Sequence, residues 1–152
     1  PTGIASVELS LLRVDARRAA WLARVEADGD ALEDAPEDLR CGDAELVLAA
    51  VQHSGRALRF AGPPLRWARG LAIAAVGRCG GALEYVAEGL RWDLETVLTA
   101  VRQDSAALEF AAEHLKADEA VVLEALSGRN AREALLFVSG ELWCQRSFAL
   151  EA

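Results

Sequence analysis

DAELVLAAVQHSGRALRFAGPPLRW (Asp43–Trp67), ARGLAIAAVGRCGGALEYVAEGLRW (Ala68–Trp92) and DLETVLTAVRQDSAALEFAAEHLKA (Asp93–Ala117) follow one another without a gap and align at a period of 25 residues. Within each unit, positions 5, 6, 8 and 9 are apolar: Val47, Leu48, Ala50, Val51; Ala72, Ile73, Ala75, Val76; Val97, Leu98, Ala100, Val101. That spacing puts the four side chains on one face of a helix. Self-similarity at such a period is the mark of an array whose units stack on their neighbours.

Position 1 is Asp43, Asp93 and, one unit later, Asp118. Aspartate there caps the free N–H groups of a first helical turn. Glu45, Glu95 and Glu119 add negative charge where the helix dipole favours it. These signals predict a helix over positions 2–11. Positions 12 and 13 (Ser54-Gly55, Cys79-Gly80, Asp104-Ser105) then break it. A second helix is expected at about positions 14–20, with Ala57, Leu58, Phe60 and Ala61 and their counterparts on its apolar side. Leu65, Leu90 and Leu115 recur at position 23 and pin the connection to the core. Helices this short do not hold alone, so stacking must stabilise them.

Degenerate copies flank the three. Arg17 to Cys41 fits through Val25, Asp28-Gly29, Ala31-Leu32, Ala35 and Leu39. Asp118 opens another copy with Val122, Leu123, Ala125 and Leu126, an insertion near Arg129-Asn130, then Ala134-Leu135, Phe137, Val138 and Leu142. The expectation is an all-α, solenoid-like domain over residues 1–152. It holds about five helical hairpins (17–41, 43–67, 68–92, 93–117, 118–144) behind a separate lead-in helix at Ile4–Val14.

These copies resemble the family catalogued as domain of unknown function 4116, through Asp43-Ala-Glu-Leu-Val-Leu-Ala-Ala-Val51, Ala57-Leu58-Arg59-Phe60-Ala61, and Asp93-Leu-Glu-Thr-Val-Leu-Thr-Ala-Val101 with Ala107-Leu108-Glu109-Phe110-Ala111. The resemblance implies a helical tandem repeat, of a kind frequent in protists and algae, and brings no catalytic residue with it. Ala68-Arg-Gly, in place of Asp-x-Glu, departs from the pattern at one helix start.

Composition narrows the function. The chain has 152 residues and a formal charge of −8. That balance opposes nucleic-acid binding, which rests on Lys and Arg meeting phosphates. Charge is uneven: residues 43–92 carry 6 basic and 4 acidic side chains, whereas 93–152 carry 5 and 11. No apolar run reaches the roughly 18 residues of a membrane span. Cys41, Cys79 and Cys144 are unpaired in spacing, which suits a reducing compartment, a plastid or mitochondrion included. The chain opens on Pro1 and lacks methionine, read either as trimming of an initiator Met or as processing of a longer precursor.

Little suggests chemistry. His53 and His114 are 61 residues apart, too isolated for a zinc site. Cys79 falls where other units have Ser54 and Asp104, a turn position rather than a nucleophile's. Gly77-Arg-Cys-Gly80-Gly81 follows a helix, not the strand a phosphate loop needs. Neither an enzyme, a cofactor nor a metal is expected. Two columns stand out instead. Position 24 is Arg40, Arg66, Arg91 and Lys116. These either pair with Glu37, Glu88 and Glu113 three residues earlier or line an edge for a partner. Arg66, with Pro63 in place of that Glu, is expected to face outward. Position 25 brings Trp67 and Trp92, with Trp143 near the equivalent place, either as contact anchors or as packing between units. The expected role is a non-catalytic scaffold, a peripheral subunit docked on other protein subunits of a larger complex, organellar (photosynthetic or respiratory) by its repeat type. The alternative is a free adaptor or effector-type module that grips a peptide or protein by the Arg/Trp edge.

Overall fold

The computed structural model describes residues 2–128 and 130–140. Leu142, Trp143 and Cys144, the expected end of the fifth unit, lie outside the described residues. Within them every regular element is helical. The long helices Ala44–His53, Arg69–Arg78 and Leu94–Gln103 occupy positions 2–11 of their units, as the pattern predicts. Glu119–Ser127 opens the fifth unit. The first differs. The expected lead-in and first-unit helices are one continuous helix, Thr2–Ala27, because no Gly or Pro interrupts residues 4–27.

The capping logic holds where Asp is present. The Asp43 carboxylate accepts from Leu46 N–H at 3.0 Å, Asp93 from Thr96 N–H at 3.0 Å, and Asp118 from Ala120 and Val121. Ala68 offers no such bond, so the helix it precedes starts uncapped by a side chain.

The paired helices stand as expected, with the α-helix Ala131–Ala134 in unit 5, but in units 1 to 4 the second helix is of another kind. Instead of a second α-helix, a six-residue 3-10 helix follows: Gly29–Asp34, Gly55–Phe60, Gly80–Tyr85, Ser105–Phe110. Its tighter winding, three residues per turn, lines positions 13, 16 and 19 up on one edge. In unit 2 these are Gly55, Leu58 and Ala61, all buried. A short helical turn then closes the unit: Glu37–Gly42, Pro63–Arg66, Glu88–Trp92, Glu113–Lys116. Position 23 packs from this turn onto the core, with Leu115 buried and Leu65 and Leu90 partly so.

In units 2 to 5 the long helices bury positions 4, 5 and 8, and position 9 as well except at partly buried Leu126, not 5, 6, 8 and 9. Leu46, Leu71, Thr96 and Val121 are covered, while Leu48, Ile73, Leu98 and Leu123 at position 6 are half-buried. Thr96 disguised the column. Its hydroxyl is buried because it donates to Asp93 Oδ2 at 2.7 Å. The Leu column at position 16 shows the stacking principle. Leu32, Leu58, Leu83 and Leu108 are each 0% exposed, and the fifth member, Leu135, is 37% exposed.

Backbone contacts join the units with the same geometry each time. The carbonyl at position 24 accepts from the N–H at position 20 of the next unit: Gly62 to Arg40 (2.8 Å), Ala87 to Arg66 (3.2 Å), Ala112 to Arg91 (3.2 Å) and Ser139 to Lys116 (3.1 Å). Position 13 needs glycine for a close approach. A Cβ at Gly29, Gly55 or Gly80 would stand 2.5, 2.5 or 2.6 Å from the carbonyl oxygen of Ala50, Ala75 or Ala100 in the next long helix. Ser105 breaks this column, and Gly128 of unit 5 supplies the space instead.

Side-chain clasps are not uniform. Arg18 grips Asp43 and Glu45 across the seam between units 1 and 2. Arg69 grips Asp93 (3.3 Å) and Glu95 (2.6 Å) across that between units 3 and 4. At the other end of the same seams, Gly29 N–H donates to His53 Nδ1 at 3.1 Å and Gly80 N–H to Gln103 Oε1 at 2.7 Å. The seam between units 2 and 3 has neither clasp. Ala44 stands where an arginine would, Ala68 and Gly70 where the acids would, and Arg78 where an acceptor would. A shallow hollow of about 380 Å³ lined by Ala44, Leu48, Ala68 and Leu71 marks that place.

Candidate protein-interaction edge

The short helical turns and the backbone ladder place positions 20–25 of successive units along one edge. Two shallow grooves open there. One, of about 220 Å³ between units 1 and 2, is lined by Glu37, Arg40, Arg59, Phe60, Pro63 and Arg66 among others. The other, of about 350 Å³ between units 3 and 4, is lined by Glu88, Arg91, Trp92, Phe110, Glu113 and His114 with two alanines.

The basic column has a structural task. Arg66 folds back on its own unit, donating from Nε to the Ala61 carbonyl (2.9 Å) and from Nη2 to that of Arg59 (2.6 Å). Arg91 repeats the arrangement with the carbonyls of Val86 (3.1 Å) and Glu84. Long, forked side chains at position 24 thus satisfy carbonyls at positions 17 and 19 that the end of a 3-10 helix leaves free. This corrects the expectation that Arg66 faces outward: Pro63 removes its glutamate, but the carbonyls take its donors. Local pairing with the preceding Glu occurs only for Lys116, whose Nζ lies 2.9 Å from Glu113 Oε1. Neither Glu37 with Arg40 nor Glu88 with Arg91 forms an ion pair among the described residues. Arg40 is half-buried, and its Nε is covered without an acceptor.

The tryptophans pack between units on one face and leave the other open. Trp67 lays its ring against Gly89 of the next unit, close enough that a Cβ there would stand 2.7 Å from it. Trp92 meets His114 of the next unit edge-on, with ring centroids 5.6 Å apart and an interplanar angle of 61°. Their other faces are open: Trp67 is 61% and Trp92 60% exposed. Trp143 lies outside the described residues. Trp21 is partly buried, with the Arg24 guanidinium 4.2 Å over its ring.

Sequence reasoning missed the aromatic walls Phe60 and Phe110. Their signal was present: position 18 is aromatic in three successive units (Phe60, Tyr85, Phe110). All three are partly buried, at the margin of the core. Arg59, stacked 4.3 Å over Phe60, was likewise unremarked. His114 sits in the short helical turn Glu113–Lys116.

Electrostatic shifts lie at the clasps, and also at Arg56, raised by a hydrogen bond to Cys79 across the seam between units 2 and 3, and at Tyr85, raised by Glu84. Arg18, hydrogen-bonded to the Asp43 carboxylate, holds it below its ordinary 3.8. Asp93 is lowered too, first by the Thr96 hydroxyl. Among the described residues no three His, Cys, Asp or Glu side chains converge as metal ligands, and no helix is long and apolar enough to cross a membrane.

The pattern of the family described as Domain of unknown function (DUF4116) matches residues 21–66, 69–116 and 93–143. The chain belongs to this family. No curated protein and no solved structure matches it. The spans of the matches are informative: 21–66 covers units 1 and 2, and 69–116 covers units 3 and 4. One DUF4116 match is therefore about two 25-residue units long; the third, 93–143, covers units 4 and 5, where Leu94 stands in the place of the clasp arginine.

Proposed function

We propose that the chain is a non-catalytic protein-interaction scaffold, an accessory subunit that docks on a larger assembly through the Trp67/Trp92 edge. One observation carries the reading: two large aromatic side chains, one unit apart, are anchored on one face by the next unit and open on the other. Tryptophans held rigid in this way are favoured anchors of protein contacts, because little side-chain freedom is lost when a partner covers them. Stacked units supply the extended surface such docking needs. The two grooves that flank the tryptophans favour, as a second reading, an adaptor that grips a peptide along the same edge and releases it.

Crosslinking mass spectrometry on native extract tests the proposal. The expected result is stoichiometric crosslinks from residues 56–92 to one protein, lost in a W67A/W92A variant that still unfolds in one cooperative thermal transition. Crosslinks that survive the double substitution would move the interface elsewhere. An adaptor would show the same crosslinks at low occupancy, with free chain in excess.

A further inference from the structure

The two grooves of the edge occupy equivalent places but differ in charge. Between units 3 and 4, Glu88 and Glu113 offset Arg91. Between units 1 and 2, Arg40, Arg59 and Arg66 face a single carboxylate, Glu37. The sequence explains the reversal: unit 2 has Arg59 and Pro63 where unit 4 has Glu109 and Glu113. A chain of net charge −8 thus gathers three guanidinium groups in one groove.

The three differ in what they have left to offer. Arg66 donates to two carbonyls of its own unit. Arg59 is fixed over the Phe60 ring, which leaves the edge of its guanidinium free. Arg40 makes no side-chain hydrogen bond or ion pair to any described residue, and its Nε is covered without an acceptor. It is the one arginine of the position-24 column not tied to carbonyls. An unmatched guanidinium beside a second one is suited to a carboxylate, which it can meet through two parallel N–H donors.

The geometry points to an acidic, partly apolar segment of a partner polypeptide as the occupant of this groove, with an Asp or Glu side chain between Arg40 and Arg59. The apolar component follows from the surroundings. Phe60 and Pro63 line the same groove, and exposed Trp67 follows Arg66 in the chain. The surplus of acid elsewhere on the chain repels such a segment from other surfaces and steers it here. This deepens the scaffold reading and rests on it: it states the chemistry of the partner at one end of the edge.

NMR of the arginine Nε–H groups, on the whole chain, tests this with two hexapeptides, alternating Glu-Leu and alternating Lys-Leu, and with inorganic phosphate. The Glu-Leu peptide should move the Arg40 resonance saturably, and the Lys-Leu peptide should not. R40Q should weaken binding about tenfold, the size expected when one charged partner of a pair is removed. E37Q should tighten it. Both variants should melt with the parent. The inference is overturned if the Glu-Leu peptide gives no saturable shift, if the Lys-Leu peptide binds as well, or if R40Q binds unchanged. An equal shift from the same concentration of phosphate overturns it too, by assigning the groove to small oxyanions. If the peptide fails while crosslinks that depend on Trp67 and Trp92 persist, this inference falls and the scaffold reading stands.

Discussion

The seam between units 2 and 3 and the seams on either side of it bury the same columns of apolar side chains, yet only the flanking ones are clasped. Arg18 and Arg69 reach across to an aspartate cap and a glutamate one unit on, and a side chain at position 11 receives a glycine N–H at the other end. Between units 2 and 3 alanines and a glycine replace the charged groups, and Arg78 replaces the acceptor at position 11. The difference teaches that the 25-residue period is the unit of packing, whereas a unit of about twice that length carries the polar specificity. The matches to the DUF4116 family are each about two units long but do not follow the clasps alone, since 93–143 spans units 4 and 5. Apolar contact decides that units stack; the clasps hold the long helices of each pair together at both ends.

The comparison can be broken most severely at its common part. Leu83 is wholly buried in unit 3, so L83D places an unpaired carboxylate in the shared core. It should cost more than about 4 kcal/mol, enough to abolish or sharply lower the thermal transition. An unmoved transition would refute the stacking of units. G55A is the next largest. Its Cβ would overlap the Ala75 carbonyl at the unclasped seam. Overpacking of this kind should cost about 1–3 kcal/mol, visible as a lower denaturation midpoint. G42A, where a Cβ meets nothing within 4 Å, serves as the control and should leave the midpoint nearly unchanged.

How legible was this in the sequence? The bounds of the long helices in the three aligned units were readable to the residue, from Asp caps in two of them, the turn pairs at positions 12 and 13 and the apolar periodicity, although the buried face is shifted by one column. The second half of each unit was not. Apolar residues at positions 15, 16, 18 and 19 suit an α-helix and a 3-10 helix equally, and only the close approach at Gly29, Gly55 and Gly80 decides between them. The edge was half legible. Exposed Trp67 and Trp92 stand where expected, but position 24 was misread for Arg66. A side chain's choice between a carboxylate, a partner and its own backbone carbonyls is set by the 3-10 geometry that the pattern leaves ambiguous. The alternation of clasps was present as Arg18, Arg69, Asp43 and Asp93, but pairing residues a full unit apart requires knowing that the units stack in register.

Acid sharpens the contrast between seams. Asp43 and Asp93 are both held below their ordinary value in the folded chain. A carboxylate lowered in this way contributes stability that is present above its unfolded-state value and is lost as pH falls through the folded one. Stability should therefore drop below about pH 4 as the clasps release. D43N should start from a lower melting temperature at neutral pH and lose less of it on acidification. An identical pH profile in D43N and parent would show that the clasp contributes nothing. The effect is small, since Arg18 is partly solvated and exposed pairs are worth roughly 0.2–1 kcal/mol.

Amide hydrogen exchange at the backbone ladder tests the central claim most directly. Gly62, Ala87 and Ala112 donate equivalent bonds to Arg40, Arg66 and Arg91 across three successive seams. The account predicts that all three amides are protected and that Ala87, at the unclasped seam, exchanges fastest. Free exchange at all three would deny that the units stack, and an Ala87 slower than its neighbours would deny that the clasps divide the array into pairs.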